Sequence, residues 1–74
     1  MSQSVLDIIN YFVALITEFA VAHQISTPQA YEYLQRYKGL DFVDKFYDVE
    51  HTLSFENTIE DLTAYCQRMG GTLA

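Results

Sequence analysis

One stretch constrains this chain more than any other. From Val5 to Ala22 it is strongly apolar, with Val5, Ile8, Ile9, Phe12, Leu15, Ile16 and Phe19 recurring at the i, i+3, i+4, i+7 spacing of a helix. Leu6, Val13, Ala20 and Val21 widen the stripe beyond one face. A helix apolar over so wide an arc is covered on more than one side. The spacing therefore predicts a long, central first helix from about Gln3 to His23, capped by Ser2 or Ser4. Its length also suits a membrane span, but Asp7, Asn10 and Glu18 interrupt it. An ionised side chain at bilayer depth costs about 2.5 kcal/mol or more, so the reading is a core helix of a soluble protein.

The rest of the chain supplies shorter helices to pack around it. Gln24-Ile25-Ser26-Thr27-Pro28 is the clearest boundary. Either Thr27 caps a helix with Pro28 at its first position, or Ser26 caps it and forms a capping box with Gln29. That second helix runs to about Lys38, with Ala30, Tyr33, Leu34 and Tyr37 inward, and Gly39 is expected as the left-handed residue that ends it. Asp41 is placed to cap a short third helix holding Phe42, Val43, Phe46, Tyr47 and Val49. Glu50 to Ser54 reads as its fraying end or a turn. A fourth helix starts after Ser54 or Asn57, turns Ile59, Leu62, Cys66 and Met69 inward, and stops at Gly70-Gly71. No alternating strand pattern of useful length occurs. The expectation is an all-α, compact bundle of about four helices. It forms a single domain over residues 1–74, ordered from about 4 to 69, with 70–74 a loose tail.

Seventy-four residues allow one domain, and a chain this short buries only about 60% of its unfolded surface. Yet half of it is hydrophobic, including five Phe and six Tyr, so folding is expected and some apolar surface is left for a partner or a second copy. Ten acids against four bases give a net charge of −6. Arg36, Lys38, Lys45 and Arg68 are scattered singly, which argues against nucleic acid and against an anionic membrane surface. A basic protein surface is the natural complement. The amino terminus has no basic region of the kind that opens a signal peptide, so the expected location is cytoplasmic.

Candidate chemistry is sparse. Asp44, Asp48 and His51 would share a face if the third helix continued through His51, a spacing compatible with a divalent metal. Two carboxylates and one imidazole make a thin ligand set, and a solvated acidic face ending in a helix-terminal histidine accounts for them. His51 has the pKa range of a general base, but no nucleophile accompanies it, and hydrogen bonds that fix the turn explain it as well. His23 suits the carboxyl end of the first helix. Cys66 lacks a partner for a disulfide and sits on an apolar stripe, the setting of a buried small hydrophobe. No catalytic, cofactor or metal site follows, and the chain is read as non-enzymatic. Tyrosine is more informative, because it combines contact area with a polar tip and is enriched at interfaces. Tyr33 and Tyr37, one turn apart on the second helix, are candidate interface residues.

The segment Gly39-Leu40-Asp41-Phe42-Val43-Asp44-Lys45-Phe46-Tyr47-Asp48-Val49-Glu50-His51-Thr52, followed by Ile59-Glu60-Asp61-Leu62, resembles a small bacterial helical family catalogued as a domain of unknown function (thirty-seven ninety-one). The resemblance runs from about Val5 to Tyr65. Members are often encoded beside ADP-ribosyltransferase-like toxins, so the resemblance implies an accessory or antitoxin-like role. It singles out Tyr47, Asp48, His51 and Thr52 as the residues that match the signature. The expected function is a protein-protein interaction module with a partner such as a basic toxin-like enzyme. The alternatives are a structural homo-oligomer or a small metal- or histidine-dependent enzyme.

Overall fold

A computed structural model describes residues 3–72, and those residues form five helices and no strand. They are α1 (Gln3–His23), α2 (Thr27–Arg36), α3 (Gly39–Lys45), α4 (Tyr47–Glu50) and α5 (Phe55–Arg68). The core is built from Leu15, Phe19 and Ala20 of α1, Ala30, Tyr33 and Leu34 of α2, Val43 of α3, and Leu62 and Cys66 of α5. The all-α bundle with a long first helix is thus the observed architecture. Of the two proposed caps for α1, Ser2 lies outside the described residues and Ser4 lies within the helix.

The turns follow local chemistry. At the end of α1, Gln24 takes a left-handed conformation (φ 57°), and the Ile25 amide donates to the Ala20 carbonyl at 3.0 Å. That tucks Ile25 against the core. Ser26 is the cap of α2. Its hydroxyl accepts from the Gln29 amide, while the Gln29 side chain accepts from the Ser26 amide at 2.9 Å, a complete capping box with Pro28 in the first turn. At α5 the Ser54 hydroxyl accepts from the Asn57 amide at 3.2 Å, and Gly70 (φ 97°) ends the helix.

Several expectations are corrected. The second helix stops at Arg36, and Lys38 (φ 66°), not Gly39, is the left-handed residue. Gly39 begins α3 for a different reason: a Cβ there would lie 2.8 Å from a Leu34 methyl carbon and 2.9 Å from the Cys66 sulfur. It lets α3 approach α2 and α5 closely. The single third helix is two, broken at Phe46, where the backbone (φ −108°, ψ 24°) leaves helical geometry. Met69 is 49% exposed and does not join the inner face of α5. Gly71 is buried, with its amide on the Cys66 carbonyl at 2.8 Å, so the chain at this residue is docked and not loose. Residues 73–74 of the expected tail lie outside the described residues.

The first helix is less central than its composition suggests. Leu15, Phe19 and Ala20 are buried, but Leu6, Ile9 and Val13 are 50%, 53% and 60% exposed. By length and composition alone the Val5–His23 stretch could cross a membrane, and only 17% of it is buried within the fold. The fold measures 39 × 22 × 20 Å along its principal axes. A helix of 21 residues is about 31 Å long and α2, at 10, about 15 Å. The short helices cannot cover it.

Candidate functional site

Residues of the signature meet at the corner where α1 passes α4 and the start of α5. Tyr47 lies edge-on to Tyr11 of α1, with ring centroids 5.4 Å apart, and Tyr11 also packs on Phe55 at 5.6 Å. On the outer side the His51 ring stacks on Tyr47 at 4.6 Å and 6°. The His51 Nδ1–H donates to the Tyr47 carbonyl at 2.6 Å, and the Thr52 hydroxyl donates to the Val49 carbonyl at 2.6 Å. His51 and Thr52 therefore close the last turn of α4. Asp48 is exposed on the same short helix. The break at Phe46 removes the continuous helix that would align Asp44, Asp48 and His51, and among the described residues no group of three potential ligands could hold a metal ion.

The residue that sequence reasoning overlooked is Glu50. It is only 5% exposed, and one carboxyl oxygen, Oε1, is buried with no hydrogen-bond partner among the described residues. Its carbonyl accepts from the Thr58 hydroxyl at 3.1 Å and from the Tyr11 hydroxyl at 3.3 Å. Burial raises the Glu50 pKa, the neighbouring Asp61 carboxyl raises it further through a hydrogen bond and by repulsion, and the Thr58 hydroxyl works the other way. Burial also raises the Tyr11 pKa. The helical period hides Glu50, because a carboxylate beside Asp48 and His51 reads as solvated. Only the family-like stretch that includes it could have pointed there.

On α1 and α5, next to this corner, lies a cleft of about 570 Å³. Half-buried Phe55 and Ile59, exposed Val21 and the exposed carboxylates Glu18, Glu56 and Glu60 line it, and among the described residues no lysine or arginine does. Its α5 wall is one helical face, with Phe55, Ile59, Thr63 and Gln67 at successive turns. His23 also lines it. Because the Thr63 hydroxyl donates to the Ile59 carbonyl at 2.8 Å, the 2.9 Å contact between His23 Nε2 and Thr63 Oγ1 requires His23 to donate. Burial lowers the His23 pKa, which favours that neutral, Nε2-protonated ring.

Tyr33 and Tyr37 are placed elsewhere. Tyr33 is 8% exposed, stacks on Phe19 at 5.9 Å, and its hydroxyl donates to the Gly71 carbonyl at 3.3 Å. Tyr37 is half-buried, 5.0 Å from Tyr33, and a Cβ on Gly71 would come within 2.7 Å of its ring. The pair clamps the chain after α5, so Tyr33 is a core residue and not an open contact surface. Cys66 is buried and its thiol is pushed up to about 11 by desolvation, the opposite of a reactive nucleophile.

A family model described as a protein of unknown function, DUF3791, matches residues 10–68, a span that contains α1 from its first third, the Tyr47 to Thr52 corner and all of α5. No curated protein and no solved structure matches the chain.

Proposed function

We propose that this chain, which belongs to the DUF3791 family, is a non-enzymatic, cytoplasmic protein-binding module that covers a basic surface of another protein. The observation that carries this reading is the cleft between α1 and α5, lined by apolar side chains and by three carboxylates in a chain of charge −6. Apolar area excludes water and supplies affinity, while the carboxylates attract cationic partners and select among them. An antitoxin-like role beside a basic toxin-like enzyme fits this surface. Nucleic acid and anionic membrane are poor ligands for the same reason of charge.

The titratable groups support binding over chemistry. The buried thiol is held protonated, His23 is held neutral in a bond to Thr63, and Tyr11 and Tyr33 are held protonated by burial. The test is co-purification of a tagged chain from its host, comparing the wild type with Glu56→Lys/Glu60→Lys. A stoichiometric partner with a basic surface, lost from the charge-reversed variant, supports the reading. Recovery of the bait alone from both counts against it.

A second reading is favoured by a separate observation. Leu6, Ile9 and Val13 form an exposed apolar stripe at i, i+3, i+7 on another side of α1. Pairing α1 with the same helix of a second copy would cover it as a twofold homodimer. Light scattering on wild type and Val13→Glu decides this: a dimer that the substitution converts to monomer supports it, and a monomeric wild type removes it.

A further inference from the structure

We infer that the occupant of the α1/α5 cleft is a single amphipathic helix of a partner, about three turns long, carrying apolar residues at i, i+4 and lysines or arginines on both flanks. This rests on the protein-binding reading and adds the shape and chemistry of the bound segment. The α5 wall runs from Phe55 to Gln67, a rise of about 18 Å, which is the length of about 12 helical residues. Opposite it, α1 contributes only its last turns, from Glu18 to His23. A cleft between two helices suits a third helix laid against both.

The charges set the occupant's flanks. Glu18 stands on the α1 side and Glu56 and Glu60, one turn apart, on the α5 side. A helix with a lysine or arginine on each flank satisfies all three, whereas an acidic helix meets repulsion and an uncharged one only the apolar lining. Val21, 69% exposed, is an apolar side chain of the lining that a bound helix would cover. His23, neutral and donating to Thr63, lines the cleft without adding a positive charge.

The test uses the full chain and two synthetic 14-residue helical peptides, one of leucine and lysine and one of the same pattern with glutamate for lysine. Binding is followed by nuclear magnetic resonance shifts and by titration at low and moderate salt. The expected result is that the lysine peptide shifts Val21, Phe55 and Ile59, the glutamate peptide does not, and Glu56→Lys/Glu60→Lys weakens the lysine peptide about tenfold. Both substituted positions are exposed, so the fold is retained, and an unchanged amide spectrum away from the cleft confirms it. Shifts confined to Leu6, Ile9 and Val13, or equal binding of both peptides, overturn the proposal. If a stoichiometric natural partner remains bound to Val21→Glu and to the charge-reversed variant, the module reading stands and the helix-in-cleft assignment fails. Absence of both partner and peptide binding removes the two together.

Discussion

Replacing Glu50 by glutamine should stabilise this protein at neutral pH and leave it unchanged in acid. In the folded chain the Glu50 carboxyl is 5% exposed, has one oxygen without a hydrogen-bond partner among the described residues, and faces the Asp61 carboxyl. In the unfolded chain it is an ordinary, hydrated carboxyl with a pKa near 4.5. Burial and Asp61 raise the folded value, so the native state binds this proton more tightly than the unfolded state does. Stability from this group is therefore fully present below the unfolded pKa. It is lost as pH rises through the raised folded pKa. This is the reverse of the usual carboxylate contribution.

Glutamine has nearly the same shape, carries no charge, and its amide can donate to Asp61. It removes the cost of an ionised group with one buried, unpaired oxygen; an unsatisfied buried acceptor costs about 1–3 kcal/mol, and a charged one more. For a domain this small each kcal/mol moves the melting temperature by roughly 4–8 °C. Urea unfolding of both chains at pH 7.5 should place Glu50→Gln ahead by about 1–2 kcal/mol. The gap should close as pH falls toward the unfolded pKa of 4.5. His23 contributes in the opposite sense, since its lowered pKa means stability is lost as pH falls below the ordinary value of 6.5. That background is common to both chains and cancels in the difference. A gap that is the same at pH 4 and pH 7.5, or a glutamine variant less stable at pH 7.5, would refute the reasoning.

Other substitutions probe the packing that holds the site. Gly39→Ala places a methyl group against Leu34, Leu62 and Cys66, all fully buried; overpacking of about 1–3 kcal/mol, less the gain of about 1 in helix propensity, predicts a net loss of about 1 kcal/mol. Adding Cys66→Ala should recover part of that loss, and a strictly additive double variant in urea unfolding would show that the close approach is not the cause. Ser54→Ala removes the cap of α5 and should cost about 1 kcal/mol by the same assay, while exposed Asp48→Ala should not change stability measurably. The Cys66 thiol, with a pKa of about 11 and no exposure, should resist a thiol reagent at pH 8 until urea unfolds the chain; prompt labelling of the native protein would contradict its burial.

How far the sequence carried varies with the physics involved. Helix type and two of the caps are legible, because hydrophobic period and cap chemistry are local: Ser26 with Gln29, and Ser54 ahead of α5, sit where their residue types require, whereas Asp41, expected to cap the third helix, lies inside α3 behind Lys38. What packs against what was not. Gly39 looked like a helix stop, since a single sequence shows a glycine's freedom but not the three side chains that crowd its missing Cβ. Phe46 is an ordinary helical residue by type, and nothing in its local sequence marks the break there. The helical period turns Tyr33 and Tyr37 inward while tyrosine's polar tip makes them interface candidates; the inward reading holds, since their rings and the Tyr33 hydroxyl hold Gly71. Of the signature, Tyr47 and His51 are brought together, but Glu50 between them is the buried member. The cleft joins residues more than thirty positions apart, and no local pattern could have assembled it.

The two uncovered faces of α1 differ in kind, and ionic strength separates them. The stripe of Leu6, Ile9 and Val13 is apolar and self-complementary, so a second copy could cover it, opposed by repulsion between two chains of charge −6. Salt screens that repulsion over a Debye length of about 8 Å at 0.15 M, and self-association through the stripe should strengthen as salt rises. The cleft, lined by Glu18, Glu56 and Glu60, draws a cationic partner, and the same screening should weaken that complex. Measuring both equilibria from 0.05 to 0.5 M salt (roughly a threefold change in screening length) should give slopes of opposite sign. Slopes of the same sign would mean that one surface serves both, because a helix-bound partner and a second copy would then respond to the same charges. Opposite slopes, with dimerisation insensitive to Glu56→Lys/Glu60→Lys, would mean that a dimer can hold one partner helix on each copy.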